Sequence, residues 1–178
     1  MSTLTADPGF GRGQVLGITQ TYYDAQVGDG SHIVGARKVF ADTHPQTGAL
    51  LSNRTIECIA VKNTSGSALL PGAVAKFKDA AILSEVDGLA TTSTALMGVV
   101  DEYLPAAGVP NNEVFWLVVR GPSTVTKTAT SVAAGAAYGL SATAGSAAAQ
   151  STNPLLGFAI ATSATTSGRI LVRTAAGF

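Results

Sequence analysis

The sequence is poor in the residues that carry most protein chemistry. It has one cysteine and two histidines in 178 residues, which excludes an internal disulfide and any metal site built from several cysteines. Charged residues make up 12% of the chain, about half the usual share for a soluble domain, and mean hydropathy is positive at +0.31. We therefore expect much of the surface not to face water.

Long hydrophobic runs are also missing. Small and polar residues interrupt every apolar stretch before it reaches the roughly 18 residues that a membrane helix needs, and residues 1 to 17 lack the basic start and apolar centre of a signal peptide. The sequence therefore predicts a soluble or assembled protein that is made in a cytoplasm and has no membrane partner. Its 11 basic and 11 acidic residues cancel, so no net field draws it to nucleic acid.

The few charges are unevenly distributed. No acidic residue follows Glu113, and after residue 120 the only charged side chains are those of Lys127, Arg169 and Arg173. An ordinary solvated surface carries more charge than this. The C-terminal third therefore either packs against another chain or forms a β surface of small residues.

The sequence offers little from which to build an active site. His32 and His44 lie in no metal or nucleophile motif, and residues 9 to 13 depart from the dinucleotide fingerprint, with no strand before them and no helix after. Asp101 and Glu102 are adjacent, so in a strand they point to opposite faces, which favours a solvated strand end over an acid–base pair. We expect no enzyme activity, no cofactor and no metal.

A pattern of three segments occurs twice in the sequence, and the rest of the chain is arranged around this repeat. The first copy consists of residues 70–77 (LPGAVAKF), 96–100 (LMGVV) and 114–120 (VFWLVVR), and the second of 133–140 (AAGAAYGL), 155–160 (LLGFAI) and 170–173 (ILVR). Such self-similarity indicates a supersecondary unit that cannot bury its apolar face alone. We assign the repeats to about 66–121 and 129–174, and expect two sheets that cover each other.

About nine or ten short strands separated by turns predict an all-β fold. The expected architecture is a small β-sandwich or barrel built from the duplicated unit over residues 32–178. The apolar run 114–119, with Trp116 in the core, indicates a strand covered on both faces. Residues 121 and 122 are expected to break that strand, residues 80 to 86 are the one place for a short helix, and residues 141 to 152 are expected to be loops.

Residues 1–31 are rich in glycine, poor in aliphatic side chains and without periodicity, which predicts an extended N-terminal arm. We expect a partner to supply the contacts that order it, with Phe10, Tyr22 and Tyr23 as anchors, although the two tyrosines can also pack on their own domain. Deleting residues 2 to 24 is then expected to leave the thermal midpoint of the isolated subunit unchanged.

Two arginines end equivalent strands of the two copies. Arg120 closes the first copy and Arg173 closes the second. They are either capping charges at strand ends or paired contacts to a carboxylate on a neighbouring subunit.

Several segments carry a family resemblance. They are residues 62–74 (KNTSGSALLPGAV), 96–100 (LMGVV), 117–121 (LVVRG), the second turn at Gly135, and 155–158 (LLGF). In sequence and spacing, these segments resemble the small β-domain decoration, or cement, proteins of tailed-bacteriophage heads, over about residues 60 to 175. The resemblance implies a structural virion protein, made in the host cytoplasm, that binds major capsid protein on the outside of the capsid, often as a homotrimer, and stabilises the shell.

A second function class remains open. A glycan- or receptor-binding β-module of a head fibre or tail would need exposed aromatic side chains on a concave face. The candidates are Tyr22, Tyr23, Tyr103 and Tyr138.

Overall fold

The protein is all-β, as the sequence predicts. The computed structural model describes residues 16–17, 20–21, 33–128, 131–163 and 165–177. The strands are β1 (Gln20–Thr21), β2 (Arg37–Thr43), β3 (Leu50–Asn63), β4 (Val74–Phe77), β5 (Glu85–Leu89), β6 (Met97–Val100), β7 (Glu113–Thr126), β8 (Ala137–Leu140), β9 (Ala147–Ala149), β10 (Leu155–Ala159) and β11 (Ser167–Arg173).

The five strands from β3 to β7 close into a ring. Strand β3 pairs in parallel with β5, the order continues through β4 and β6 to β7 in antiparallel pairs, and β7 pairs back with β3. The inside of the ring is filled by apolar side chains from all five strands, among them Ile59, Val61, Ala75, Phe77, Val86, Val100, Phe115, Leu117 and Val119. The ring therefore has a packed core of its own.

The second copy extends the same sheet and folds over the outside of the ring. Strand β11 pairs with β7 from Arg120 to Thr126, and β10, β8 and β9 follow in that order. A second core fills the space between, formed by ring residues such as Cys58, Met97 and Trp116 and by later residues such as Tyr138, Leu156 and Ile170. The expectation of two separate sheets is therefore wrong, because the two copies share one continuous sheet through the β7–β11 ladder.

The two copies use the same local strand order. The first runs β5-β4-β6-β7 and the second β9-β8-β10-β11, and the last strand of each pairs antiparallel with the other. The ends of the two copies therefore meet at the centre of the sheet. This arrangement places Arg120 directly opposite Arg173.

The first half of β7 is covered on both faces, as its apolar run predicts. Phe115, Leu117 and Val119 point into the ring, whereas Val114 and Trp116 belong to the second core. Trp116 is 1% exposed and meets the ring of Phe40 edge-on, with 5.3 Å between ring centroids. The prediction that Trp116 is a core residue is confirmed.

Strand β7 does not break at residues 121 and 122 but runs through them. The backbone N–H groups of Thr124 and Thr126 donate to groups outside β11. Because alternate residues of a strand point their N–H groups the same way, the nitrogen of Pro122 also faces away from β11. The proline therefore costs the β7–β11 ladder no hydrogen bond, which is how this strand tolerates it.

Two other local expectations are wrong. Residues 80 to 86 form no helix, since turns lead directly into β5 there, and residues 141 to 152 contain β9 as well as loops. Both segments lack the apolar residues at helical spacing that would form a packed helix face. In each case the strand packs alongside the first strand of its own copy.

The described part of the N-terminal segment contacts its own domain. Leu16 is 5% exposed and belongs to the second core, the Gly17 N–H donates to the Asp101 carboxylate, and β1 pairs with the start of β7. At these residues the expectation that a partner supplies the contacts is wrong.

Candidate functional site

A row of side chains crosses four adjacent strands on the face that points away from the second core. In the sheet register Val39 of β2 lies opposite Glu57 of β3, Glu57 opposite Arg120 of β7, and Arg120 opposite Arg173 of β11. Residues opposite each other in antiparallel strands project to the same face, with Cβ atoms about 5 Å apart. The row therefore brings residues from distant parts of the chain onto one surface.

A β-bulge in β7 turns Arg120 to this surface. Glu57 pairs with Arg120 and Cys58 with Val118, so Val119 has no partner on β3. Before the bulge even-numbered residues such as Val118 face the second core, and after it the odd-numbered Val125 does. This change of phase is what a bulge produces. Without it, strict alternation would direct Arg120 into the second core.

The bulge is held in place by the residue that follows β11. The carbonyl oxygen of Val119 accepts hydrogen bonds from the backbone N–H of Thr174 at 3.2 Å and from its hydroxyl at 3.0 Å. Thr174 follows Arg173 directly and Val119 precedes Arg120, so the same contact positions both arginines. The bulge at Val119 and its hydrogen bonds to Thr174 thus orient both arginines.

The row borders a shallow groove of about 700 Å³. Three arginines line it, Arg54, Arg120 and Arg173, together with residues that include Asn53, Thr55 and the exposed Val39. Gly121 forms part of its floor, where a Cβ would lie 2.2 Å from the carbonyl oxygen of Thr55 and φ is +103°. Only glycine allows β7 to approach β3 this closely.

The groove carries positive charge that the described chain does not neutralise. Its one carboxylate, Glu57, is engaged by Arg37 at 3.0 Å. Within residues 33–128, 131–163 and 165–177, the guanidinium groups of Arg54, Arg120 and Arg173 have no ion pair or hydrogen bond. Like charges directly opposite each other in a sheet are unfavourable. The arrangement suits an anion that comes from outside the chain.

A second charged cluster lies under the β2 hairpin. Arg169 of β11 forms ion pairs with Asp42 and, at 2.9 Å, with Glu102. The Ser52 hydroxyl donates to Asp42 at 2.6 Å, and Thr124 donates to Glu102 through both its N–H and its hydroxyl. All these charges have partners inside the fold, so this cluster joins β2, β11 and the segment after β6.

The assignment of Asp101 and Glu102 to a solvated strand end is wrong. Asp101 is 1% exposed and accepts hydrogen bonds from the N–H groups of Gly17 and Tyr103. Burial raises the pKa of Asp101 to about 6. Glu102 is bound to Arg169. Both residues lie after the end of β6, and both carboxylates have partners inside the fold.

The sequence-predicted interface residues divide into two groups. Arg120 and Arg173 are brought together in the groove, whereas Phe10, Tyr22 and Tyr23 lie outside the described residues. Sequence reasoning missed Arg54 as a third member of the groove. Its only signal is a charge at an exposed position just before an alternating strand.

The two described aromatic candidates for glycan binding, Tyr103 and Tyr138, do not form an exposed aromatic surface. Tyr138 is 1% exposed in the second core, which contradicts its assignment as an exposed side chain. Tyr103 is half-buried and meets the ring of His44 edge-on at 5.3 Å. His32 lies outside the described residues.

The described residues offer little reactive chemistry. They contain no group of three or more His, Cys, Asp or Glu side chains that could hold a metal. Burial raises the pKa of the Cys58 thiol well above its usual value, which keeps it protonated and unreactive. Among the same residues, no helix has the length and apolar character to cross a membrane. The arginine groove is therefore the candidate site.

No family model and no curated protein matches this chain.

Proposed function

We propose that the protein is a structural virion protein that binds the outer surface of a phage capsid, through major capsid protein, and stabilises the shell. The observation that carries the proposal is the groove with Arg54, Arg120 and Arg173, whose charges have no partner in the described chain. Exposed arginines of this kind are enriched where proteins bind one another. The resemblance to decoration proteins supports the same function and adds a homotrimeric assembly.

The sheet architecture also supports a role in binding a surface. The groove lies on a sheet face made by β2, β3, β7 and β11, and the second core packs against the opposite face. A rigid face loses little conformational entropy on binding, so more of the contact energy is retained as affinity. A protein that reinforces a shell needs such a face.

Cosedimentation tests the proposal directly. Purified protein is mixed with expanded shells of the major capsid protein from the same phage, and bound protein is quantified after pelleting. We expect saturable binding on the shell exterior and a higher temperature of shell disruption. Light scattering on the free protein should give the mass of a trimer. Absence of binding, with no change in shell stability, would overturn the proposal.

The alternative function, a glycan- or receptor-binding module, has lost part of its support. It required exposed aromatic side chains, and of its candidates Tyr138 is buried and Tyr103 contacts His44. Tyr22 and Tyr23 remain untested. Specific retention on a glycan array by the full-length protein would favour this alternative over the capsid function.

A further inference from the structure

We infer that the arginine groove binds an extended acidic segment of a partner protein, with side-chain carboxylates held by Arg120 and Arg173. The inference rests on the proposed function for the identity of that partner, which is then the capsid protein. Its chemical basis is independent of the function, because it follows from the geometry and charge of the groove.

The spacing of the two arginines fits two carboxylates on one extended chain. Arg120 and Arg173 lie directly opposite on adjacent strands, so their Cβ atoms are separated by about 5 Å. In an extended segment, residues two apart project to the same side and are separated by about 6.7 Å. Long arginine side chains span the difference. An acidic residue at positions i and i+2 therefore matches the pair.

The remaining groove residues define the rest of the segment. Arg54 offers a third guanidinium group on the same surface, and Asn53 and Thr55 provide neutral polar groups. Val39, at the far end of the row, is 60% exposed and suits an apolar side chain. Glu57 stands between Val39 and Arg120, so the acidic part of the segment is directed to the arginine end.

The groove suits a peptide better than other anions. A nucleic acid is held by many phosphate contacts and by bases stacked on aromatic rings, and a glycan by exposed aromatic faces. The groove has three cations, is lined by no aromatic side chain, and belongs to a chain of zero formal net charge. Guanidinium forks recognise planar carboxylates with two parallel hydrogen bonds, which gives specificity as well as attraction.

The first experiment titrates the full-length protein with a capped hexaglutamate peptide and follows backbone amides by NMR at low salt. We expect the largest shifts at residues 54–57, 120–121 and 171–173, and no shifts with hexaglutamine. The double variant Arg120→Gln/Arg173→Gln should bind at least about tenfold more weakly, because two charge-assisted contacts are removed. Raising the ionic strength should weaken binding by the wild type.

A matched control separates this site from general electrostatics. Lys76→Gln/Lys78→Gln removes the same charge from exposed ion pairs outside the groove and should leave peptide binding within about twofold of the wild type, as screened exposed pairs contribute little. Both double variants should fold, since the groove arginines are exposed and have no partner among the described residues, and the two lysines lose only exposed ion pairs. Equal weakening by the two variants, or shifts that map elsewhere, would overturn the inference.

Two further outcomes complete the test. Tighter binding in the groove by a sulfated oligosaccharide or an oligonucleotide than by hexaglutamate would also overturn it. Shell cosedimentation then distinguishes the two proposals. If wild-type protein binds shells and Arg120→Gln/Arg173→Gln binds equally well, the groove inference fails and the capsid function stands. If no variant binds shells but the wild type binds hexaglutamate in the groove, the capsid function fails and the acidic-segment site stands.

Discussion

Arg169 joins three parts of the fold, and we predict that Arg169→Met destabilises the protein strongly. Its guanidinium on β11 contacts Asp42 near the end of β2 and Glu102 after β6. The side chains of Asp42 and Glu102 are 1% and 15% exposed. The substitution leaves both carboxylates without their cation, and water cannot fully replace it.

The expected loss in free energy of unfolding is about 3 kcal/mol. Removing one partner of a buried ion pair costs about 3 to 5 kcal/mol, because the remaining charge is uncompensated. The lower end applies here, since Ser52 still donates to Asp42 and Thr124 still donates to Glu102. For a domain of this size such a loss lowers the thermal midpoint by about 6 to 12 °C.

Urea unfolding followed by circular dichroism measures the loss, and Arg173→Met is the matched control. Arg173 lies on the same strand and the same face as Arg169 but has no partner within the described residues. Its substitution should change the free energy of unfolding by less than about 0.5 kcal/mol. The reasoning is refuted if Arg169→Met costs no more than Arg173→Met.

A second substitution tests the proposed cause. Adding Asp42→Asn to Arg169→Met removes one of the uncompensated charges, so the double variant should be more stable than the sum of the two single losses predicts. Simple additivity would show that the ion pair itself is not the source of the loss.

Three further predictions concern the attachment of the N-terminal segment and the floor of the groove. Leu16→Ala should lower the free energy of unfolding by about 2 to 4 kcal/mol, since Leu16 is buried in the second core; an unchanged urea midpoint would restore the idea of an arm without contacts to its own domain. Gly121→Ala should prevent close pairing of β3 with β7, because the new Cβ meets the Thr55 carbonyl oxygen, and should cost at least about 2 kcal/mol; a well-folded variant of wild-type stability would contradict this. Burial raises the pKa of Asp101 to about 6, above its value of about 4 in an unfolded chain. Between pH 4 and 6 the folded state therefore binds more protons than the unfolded state. The contribution of Asp101 to the free energy of unfolding is present below about pH 4 and is lost as the pH rises through 6, by about 3 kcal/mol in total. Urea midpoints measured from pH 4 to 7 should fall for the wild type and stay level for Asp101→Asn. Equal falls for both proteins would contradict the prediction.

Local patterns predicted the parts of the fold that depend on neighbouring residues. The alternation in residues 55 to 62 marks the paired half of β3, and the apolar run around Trp116 marks a strand covered on both faces. These predictions succeed because side-chain direction in a strand follows from position along the chain. They needed no knowledge of the partner strand.

Features that depend on strand register were not accessible in this way. Arg169 and Asp42 are 127 positions apart in the chain, and nothing local indicates that they meet. The bulge at Val119 shifts the phase of β7 and cannot be read from an uninterrupted apolar run. Leu16 was overlooked because a short aliphatic stretch between glycines has no periodic signal, although Leu16 is buried.

The repeat explains why the charges of the groove come together. Each copy carries an arginine in its last strand, and the copies are joined by pairing those last strands antiparallel, so the equivalent residues Arg120 and Arg173 become direct neighbours. This contact is unfavourable for the isolated fold, and no described carboxylate relieves it, since Glu57 is engaged by Arg37. A role in stability therefore does not account for the pair, whereas a partner that supplies carboxylates does. An acidic segment bound in the groove would relieve the repulsion between Arg120 and Arg173.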